Sequence, residues 1–523
     1  MFWISQRRAV PVGVARVSSA MPRLASIPSL LCCAVVGLTP ACKSEQSLPG
    51  SSLASTGGAS SVTPVTSTQT GSVPVPDARL EAAIADSIGR DAILSPQSIH
   101  ATVANGAVTL TGTVRTLAQK WRAGRVVADF KGASSVVNAI VVGSPIRSDA
   151  DLAKDVNASI KSDPATRTAD VRATTSVGKV TLKGVADSSA QRDLAGELAS
   201  RVRGVQAVTV AVTLRMATRG DAEVRGAVAD ELLEDARLDG TRVTVEAHSG
   251  DVVLSGVVGS IAQRDAAVKD ASRAGARNVD AKGVRVDWLE SALSRAVGQR
   301  GAPTDDEISA AVGRRLSNDV RIGAQLPSVR VDGGDVTLAG NVTDLRAESA
   351  SHEDTLRVRG VRQIEDRMTA LPVLRESDAT IEKQALAGIY DDVAAPDSRN
   401  VRVVATNARV ILQGVVASQE DKKIIEDDVD EVPGVVAVEN DLKVGGYGPQ
   451  TVVVPPETIR HRVIEGIFWD PRVDAGKITV DVDPAGDATL NGVVDSQDEA
   501  RAAEADAIRA GAATVVNRVQ VAK

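Results

Sequence analysis

Past residue 42 the chain has no cysteine: Cys32, Cys33 and Cys42 are the whole complement of a 523-residue sequence. A disulfide framework, a zinc ribbon and a thiol nucleophile are therefore excluded from everything that follows. Aromatic residues are nearly as scarce, with four Trp, two Tyr and three Phe. So few rings cannot form base-stacking platforms, and the cores must be built from Val, Leu, Ile and Ala. A basic excess is also missing, since 60 Lys and Arg face 67 Asp and Glu for a formal charge of −7 and a pI near 5.4. That removes the electrostatic footprint of a nucleic-acid binder, and no nucleic-acid partner is expected. HExxH, P-loop and GxSxG signatures are absent. No segment after residue 42 approaches the ~20 apolar residues that a spanning helix needs.

The first 42 residues read as an address. From Met21, an alternative start, the sequence has a basic residue at Arg23, an apolar run from about Leu24 to Leu38, and small residues before Cys42. This is the layout of a secretory signal. Leu38-Thr39-Pro40-Ala41-Cys42 resembles the lipobox of bacterial lipoproteins, which implies lipidation at Cys42. Lys43 after it goes with sorting to the outer membrane. The expected location is periplasmic, anchored to the outer membrane through Cys42, with no transmembrane span in the mature protein. Residues 43–76, rich in Ser, Thr, Gly and Pro, read as a flexible tether with an end-to-end distance on the order of 30 Å.

What the rest contains is repetition. Gly-x-Val-x-Leu-x-Gly or a near variant recurs at Gly106 to Gly112, Gly178 to Gly184, Gly250 to Gly256, Gly334 to Gly340, Ala408 to Gly414 and Gly486 to Gly492. Upstream of each lies an apolar triplet at i, i+4 and i+8: Leu80/Ile84/Ile88, Leu152/Val156/Ile160, Val224/Val228/Leu232, Ile308/Val312/Leu316, Ile381/Ala385/Ile389 and Ile459/Val463/Ile467. That spacing puts one stripe on a helix. A β-branched run, a turn such as Asn105-Gly106 or Gly333-Gly334, and the motif itself predict a hairpin. The closing glycine falls on the inward face, where it is expected to let a helix approach. A polar helical stretch then ends at Gly132, Gly204, Gly275, Gly360, Gly434 or Gly511, followed by an aliphatic run. The unit is helix–strand–strand–helix–strand, with both helices expected on one face of a three-stranded sheet.

Through this hairpin motif, the later Gly204-Val205, Gly360-Val361 and Gly434-Val435 pairs, and their separation, residues 77–523 resemble the BON domain family. The fold class expected is α+β: six tandem αββαβ domains at 77–145, 148–215, 221–288, 304–371, 376–444 and 457–523, with linkers at 289–303 and 445–456. The resemblance implies a non-catalytic, export-compartment module that binds phospholipid or supports envelope integrity and osmotic stress tolerance. Ala408 and Ala488 depart from the motif and put hairpin geometry in question at copies five and six.

Candidate chemistry is thin. His100, His248, His352 and His461 occupy four different columns of the repeat, so no shared metal site is expected, nor any cofactor. Asp481-x-Asp483-x-x-Gly486 fails as a calcium loop, having Ala485 at position five and Gly492 at position twelve. Charge varies along the array: the first two copies each carry +2, and the later four carry −4, −3, −8 and −4. Trp121 stands in a column that is polar in other copies (Asp193, Ser349, Lys423), beside Lys120, Arg122 and Arg125. These four residues are the candidate lipid contact. Trp469 also sits in a polar column, but Asp470 beside it favours contact with protein. The reading is an exported string of six domains binding a phospholipid surface; the alternative is a periplasmic scaffold for envelope proteins.

Overall fold

The computed structural model describes residues 75–522, apart from 92, 96, 144–146, 216–218, 239–240, 292–300, 372–375, 393–399, 417 and 446–453. The signal segment, Cys42, the tether to residue 74 and much of the two linkers lie outside the described residues.

The second copy gives the pattern. Its first helix (Asp149–Ser162) leads to a hairpin of Asp170–Ser176 and Lys179–Ala186, then to a second helix (Ser189–Arg201) and a third strand (Ala207–Leu214). The middle strand is central, antiparallel to the first and parallel to the third. The other five copies repeat this order, with first helices at Asp77–Arg90, Asp221–Glu234, Asp305–Asn318, Asp378–Asp392 and Pro456–Trp469. Their second helices are Leu117–Ala128, Ile261–Arg273, Leu345–Leu356, Gln419–Asp430 and Gln497–Arg509. In copy one the third strand is split into Ser135–Asn138 and Val141–Val142. Six small α+β domains result.

Local signals explain the elements. Every apolar triplet of the first helices is buried, as a period of 3.6 requires. Each second helix starts on a side-chain cap: Thr116, Ser188, Ser260, Asp344, Ser418 or Ser496 accepts the amide three residues on. Thr304 and Glu307 form the expected capping box.

The hairpin turns need two consecutive residues at positive φ, which Asn105 and Gly106 supply at 51° and 73°. Ala408 adopts the same region at 64°, so its copy keeps the turn at the expense of some strain. The first residue of the first helix secures this turn in five copies. Asp77 accepts the amides of Asn105 and Gly106 at 2.6 and 2.9 Å, and Asp149, Asp221, Asp305 and Asp378 repeat the clasp. Copy six lacks that aspartate and uses a longer turn, in which Asp483 accepts the amides of Ala485 and Asp487.

At five of the six closing glycines the cause differs from the expected one, and at Gly340 a Cβ would meet nothing within 4 Å. A Cβ on Gly112 would lie 1.8 Å from the carbonyl oxygen of Ser98, and one on Gly184 1.8 Å from that of Asp170. The approach is by the backbone of the first strand, not by a helix, and φ at these glycines is 126° and 135°.

Residues Thr70–Lys523 make one compact unit, which corrects the expectation of a string. One apolar cluster runs through copies one and two and takes in Ile261 of copy three and Trp469 of copy six. The second helix of copy one touches those of copies two and three, and the second helix of copy five touches those of copies four and six.

Leu182, opposite Ala173 at the centre of copy two, is fully buried. Leu182→Ala is expected to cost about 2–5 kcal/mol by leaving a cavity. Urea unfolding of the full chain, compared with the parent, measures it.

Candidate functional surface

The four residues expected to touch lipid lie on the second helix of copy one. Trp121 is half-buried, its ring folded against the apolar cluster shared by copies one and two. Its column equivalents Asp193, Ser349 and Lys423 are exposed, so the column was read correctly and Trp121 departs from it. Arg122 pairs with buried Asp91 at 2.8 Å. Arg125 lies within electrostatic reach of Glu197 of copy two. Trp121, Arg122 and Arg125 line a small cleft with Glu197, Ser200 and Arg201. Lys120 is half-buried, and its carbonyl accepts the Asn138 amide at 2.6 Å. The cleft lies between copies one and two, with the ring packed on their shared cluster and Arg122 held by Asp91 of its own copy, while Arg125 remains exposed.

Trp469 is 4% exposed and meets Phe130 of copy one with ring centroids 5.9 Å apart. Lys131 donates its amide to the Trp469 carbonyl at 3.0 Å and its ammonium to the Val473 carbonyl at 2.9 Å. The same docking joins copies three and four, where Arg359 donates its amide to the Glu234 carbonyl at 2.7 Å. Lys131 and Arg359 each precede the glycine after a second helix, and Trp469 and Glu234 each end a first helix. The repeat therefore reuses one interface.

Charges fill the interior of these interfaces. Arg315 of copy four is 2% exposed and lies 3.2 Å from Glu231, 3.4 Å from Asp235 and 3.9 Å from Asp270, all of copy three. Arg237 also holds Asp235, with a 3.0 Å bond from Nε. This drives Asp235 far below the usual carboxylate range, although burial opposes the shift. Asp270, buried beside that carboxylate, is pushed well up, chiefly by loss of water and then by the charge on Asp235. One shared environment thus pulls the two carboxyls in opposite directions. In copy six, burial and the charge on Asp470 raise Asp506 to about 7, and in copy one burial raises Asp129 to about 6. Arg346 of copy four reaches Asp163 of copy two at 2.7 Å and Glu431 of copy five at 3.6 Å, joining three copies.

The outward surface is the set of sheet faces, and that of copy two is unlike its neighbour. In copy one the corresponding positions are His100, Thr102, Thr109, Thr111 and Thr113. In copy two, Arg172 stands directly opposite Lys183, both exposed, with exposed Lys179 near the turn. Like charges directly across an antiparallel pair are unfavourable. Val177 occupies the turn at φ 50° with 76% of its surface exposed. A β-branched residue in the left-handed region is strained, and here it is also solvated. Sequence reading missed this surface. Its signal was Val177 standing where the other hairpins use Asn105, Ser249, Gly333 and Asn407.

The BON domain matches at residues 76–144, 148–216, 220–287, 304–372, 377–446 and 457–523. The chain belongs to the BON domain family. BON domains are in general non-catalytic binding domains of periplasmic or envelope proteins. Two solved structures are similar to it. One, a structural protein of the type III secretion system of Chlamydia trachomatis named CdsD, is 18% identical and covers 45% of this chain and 97% of its own, with a TM-score of 0.12. The other, described as the C-terminal domain of CdsD, is 15% identical and covers 57% of this chain and 100% of its own, also at 0.12. No curated protein matches. Among the described residues no group of His, Cys, Asp or Glu is arranged to hold a metal ion, and no helix is long and apolar enough to cross a membrane.

Two outcomes are expected from the charged interior. Arg315→Ala removes the buried cation beside Glu231 and one of the two arginines that neutralise Asp235, and is expected to lower stability by about 3–5 kcal/mol, read by denaturant unfolding. The second concerns pH. Asp129 and Asp506 have raised native pKa values, so their contribution is full below about pH 4 and is lost as pH rises through 6 to 7. Asp319 and Asp470 are lowered, so theirs is present above about pH 4 and lost on acidification. Thermal melts of the full chain should peak near about pH 5 and fall toward pH 8, and Asp506→Asn should flatten the fall.

Proposed function

We propose that this BON-family chain is a non-catalytic envelope protein that binds anionic phospholipid through the hairpin of copy two. The carrying observation is the exposed Val177, held in a strained turn beside Lys179, with Arg172 and Lys183 opposed on the adjoining face, where Asp170 stands 3.8 Å from Arg172. Strain and like-charge opposition both cost stability, and an anionic surface offsets the second at roughly 1 kcal/mol for each Lys or Arg held near it. An apolar tip flanked by cations suits the headgroup boundary, where the valine enters the interface and the ammonium groups meet phosphate.

On this reading the cations of copies one and two serve different ends. Lys131 of copy one ties that copy to copy six, while those on the sheet of copy two face outward. A lipidated Cys42 and a tether to residue 76 would keep the whole unit, with copy six docked on copy one, near the membrane that holds the anchor. Support of envelope integrity under osmotic stress follows as the physiological role of such a membrane-bound module.

Co-sedimentation of the full chain with vesicles containing phosphatidylglycerol, against pure phosphatidylcholine, tests the proposal. The parent should bind only the anionic vesicles, and Lys179→Glu with Lys183→Glu should weaken binding by about tenfold or more. Val177→Asn should raise stability by about 1 kcal/mol by relieving the turn, yet weaken binding. Unchanged binding in the double charge reversal would overturn the assignment.

A further inference from the structure

The third strand is an edge in every copy, and five copies close part of that edge with their own side chains. Opposite the central leucine, or beside it, stands an Asn or Asp whose oxygen accepts the amide two residues on. Asn138 takes Ile140 at 3.4 Å, Asp280 takes Lys282 at 2.9 Å, Asp366 takes Met368 at 2.7 Å, Asn440 takes Leu442 at 3.2 Å and Asn517 takes Val519 at 3.1 Å. In copy one the bonds from Ala139 to Leu110 and from Gly143 to Val114 fix the parity: odd-numbered amides face the central strand and that of Ile140 turns outward. These side chains therefore occupy edge donors that would otherwise invite another strand.

Copy two breaks the rule. The residue opposite Leu182 is Val210, 40% exposed, which offers no acceptor. The bond from Arg215 to Ala186 sets the same parity, so the amide of Val212 turns outward. The strand Ala207–Leu214 also carries no charge and no proline over eight residues. The third strands of copies three to six carry charges: Asp280, Lys282 and Arg285; Glu365, Asp366 and Arg367; Glu439, Asp441 and Lys443; and Arg518. Copy one's is uncharged but split. Thr209, Val210 and Ala211 are consecutive exposed residues on this edge.

We infer that Ala207–Leu214 is an interaction edge and that its occupant is the same strand of a second copy of the chain. An uncharged strand can lie antiparallel to itself in any register without setting like charges opposite one another, whereas the charged edges of copies three to six allow only some registers. A twofold axis near Val210 makes the contact isologous, so it closes as a dimer instead of propagating as a fibre. The main-chain amides supply the bonds, and the valines of the two strands meet across the axis.

Sedimentation equilibrium of the full chain at micromolar concentration tests this. The parent should fit a dimer. Val210→Asn, which restores the residue type used by the sister copies, should weaken self-association by about tenfold or more while leaving the thermal melt unchanged. Ala211→Lys, which sets ammonium groups against each other across the axis, should do the same without entering the core. A monomeric parent would overturn the inference, as would dimers that survive both substitutions. Vesicle binding by the monomeric variants should persist, which separates this contact from the hairpin surface.

Discussion

Taking an arginine out of water costs several kcal/mol unless carboxylates surround it, and Arg315 imposes that condition on two domains at once. Its own copy supplies none of the three carboxylates that lie within 3.9 Å; all come from copy three. Neither copy can present these groups to the other in more than a narrow range of positions without stranding a charge. Arg346, bridging copies two and five, applies the same constraint elsewhere. Apolar contact makes the copies adhere, and buried ion pairs decide how they are placed.

This explains the composition. A three-stranded sheet with two helices is small for an independent core, and here the alanine-rich second helices give one side to their own sheet and another to neighbouring domains. Ala266, Ala267 and Ala271 pack within copy three, while Asp270 on the same helix joins the charged interface. Large aromatics are scarce because such close approach between helices favours small side chains. The few present, such as Phe130 and Trp469, sit where two copies meet.

The fold was legible because its determinants are local or repeat in register. The i, i+4, i+8 stripes became buried helix faces, and Asn105-Gly106 became a left-handed turn. The closing glycines were placed correctly but explained wrongly, since the clash a side chain would make at Gly112 is with Ser98 across the ladder. The interdomain surface was largely hidden. Asp270, Arg315 and Arg346 read as polar positions on helices, and only the packing of other copies turns them inward. Trp121 was chosen from a column whose other members are indeed exposed, and it departs from them because copy two closes over it.

One contact in this assembly joins the two ends of the sequence. Lys131 docks against Val473, 342 residues later, and the first copy remains without that partner until the last has been made. Contacts of such long range are slow to form. The early copies must wait with helix faces uncovered, which sets a premium on rapid arrival of the chain's end. The array behaves as a closed circuit: removing a terminal copy opens it at both ends, instead of shortening a row by one.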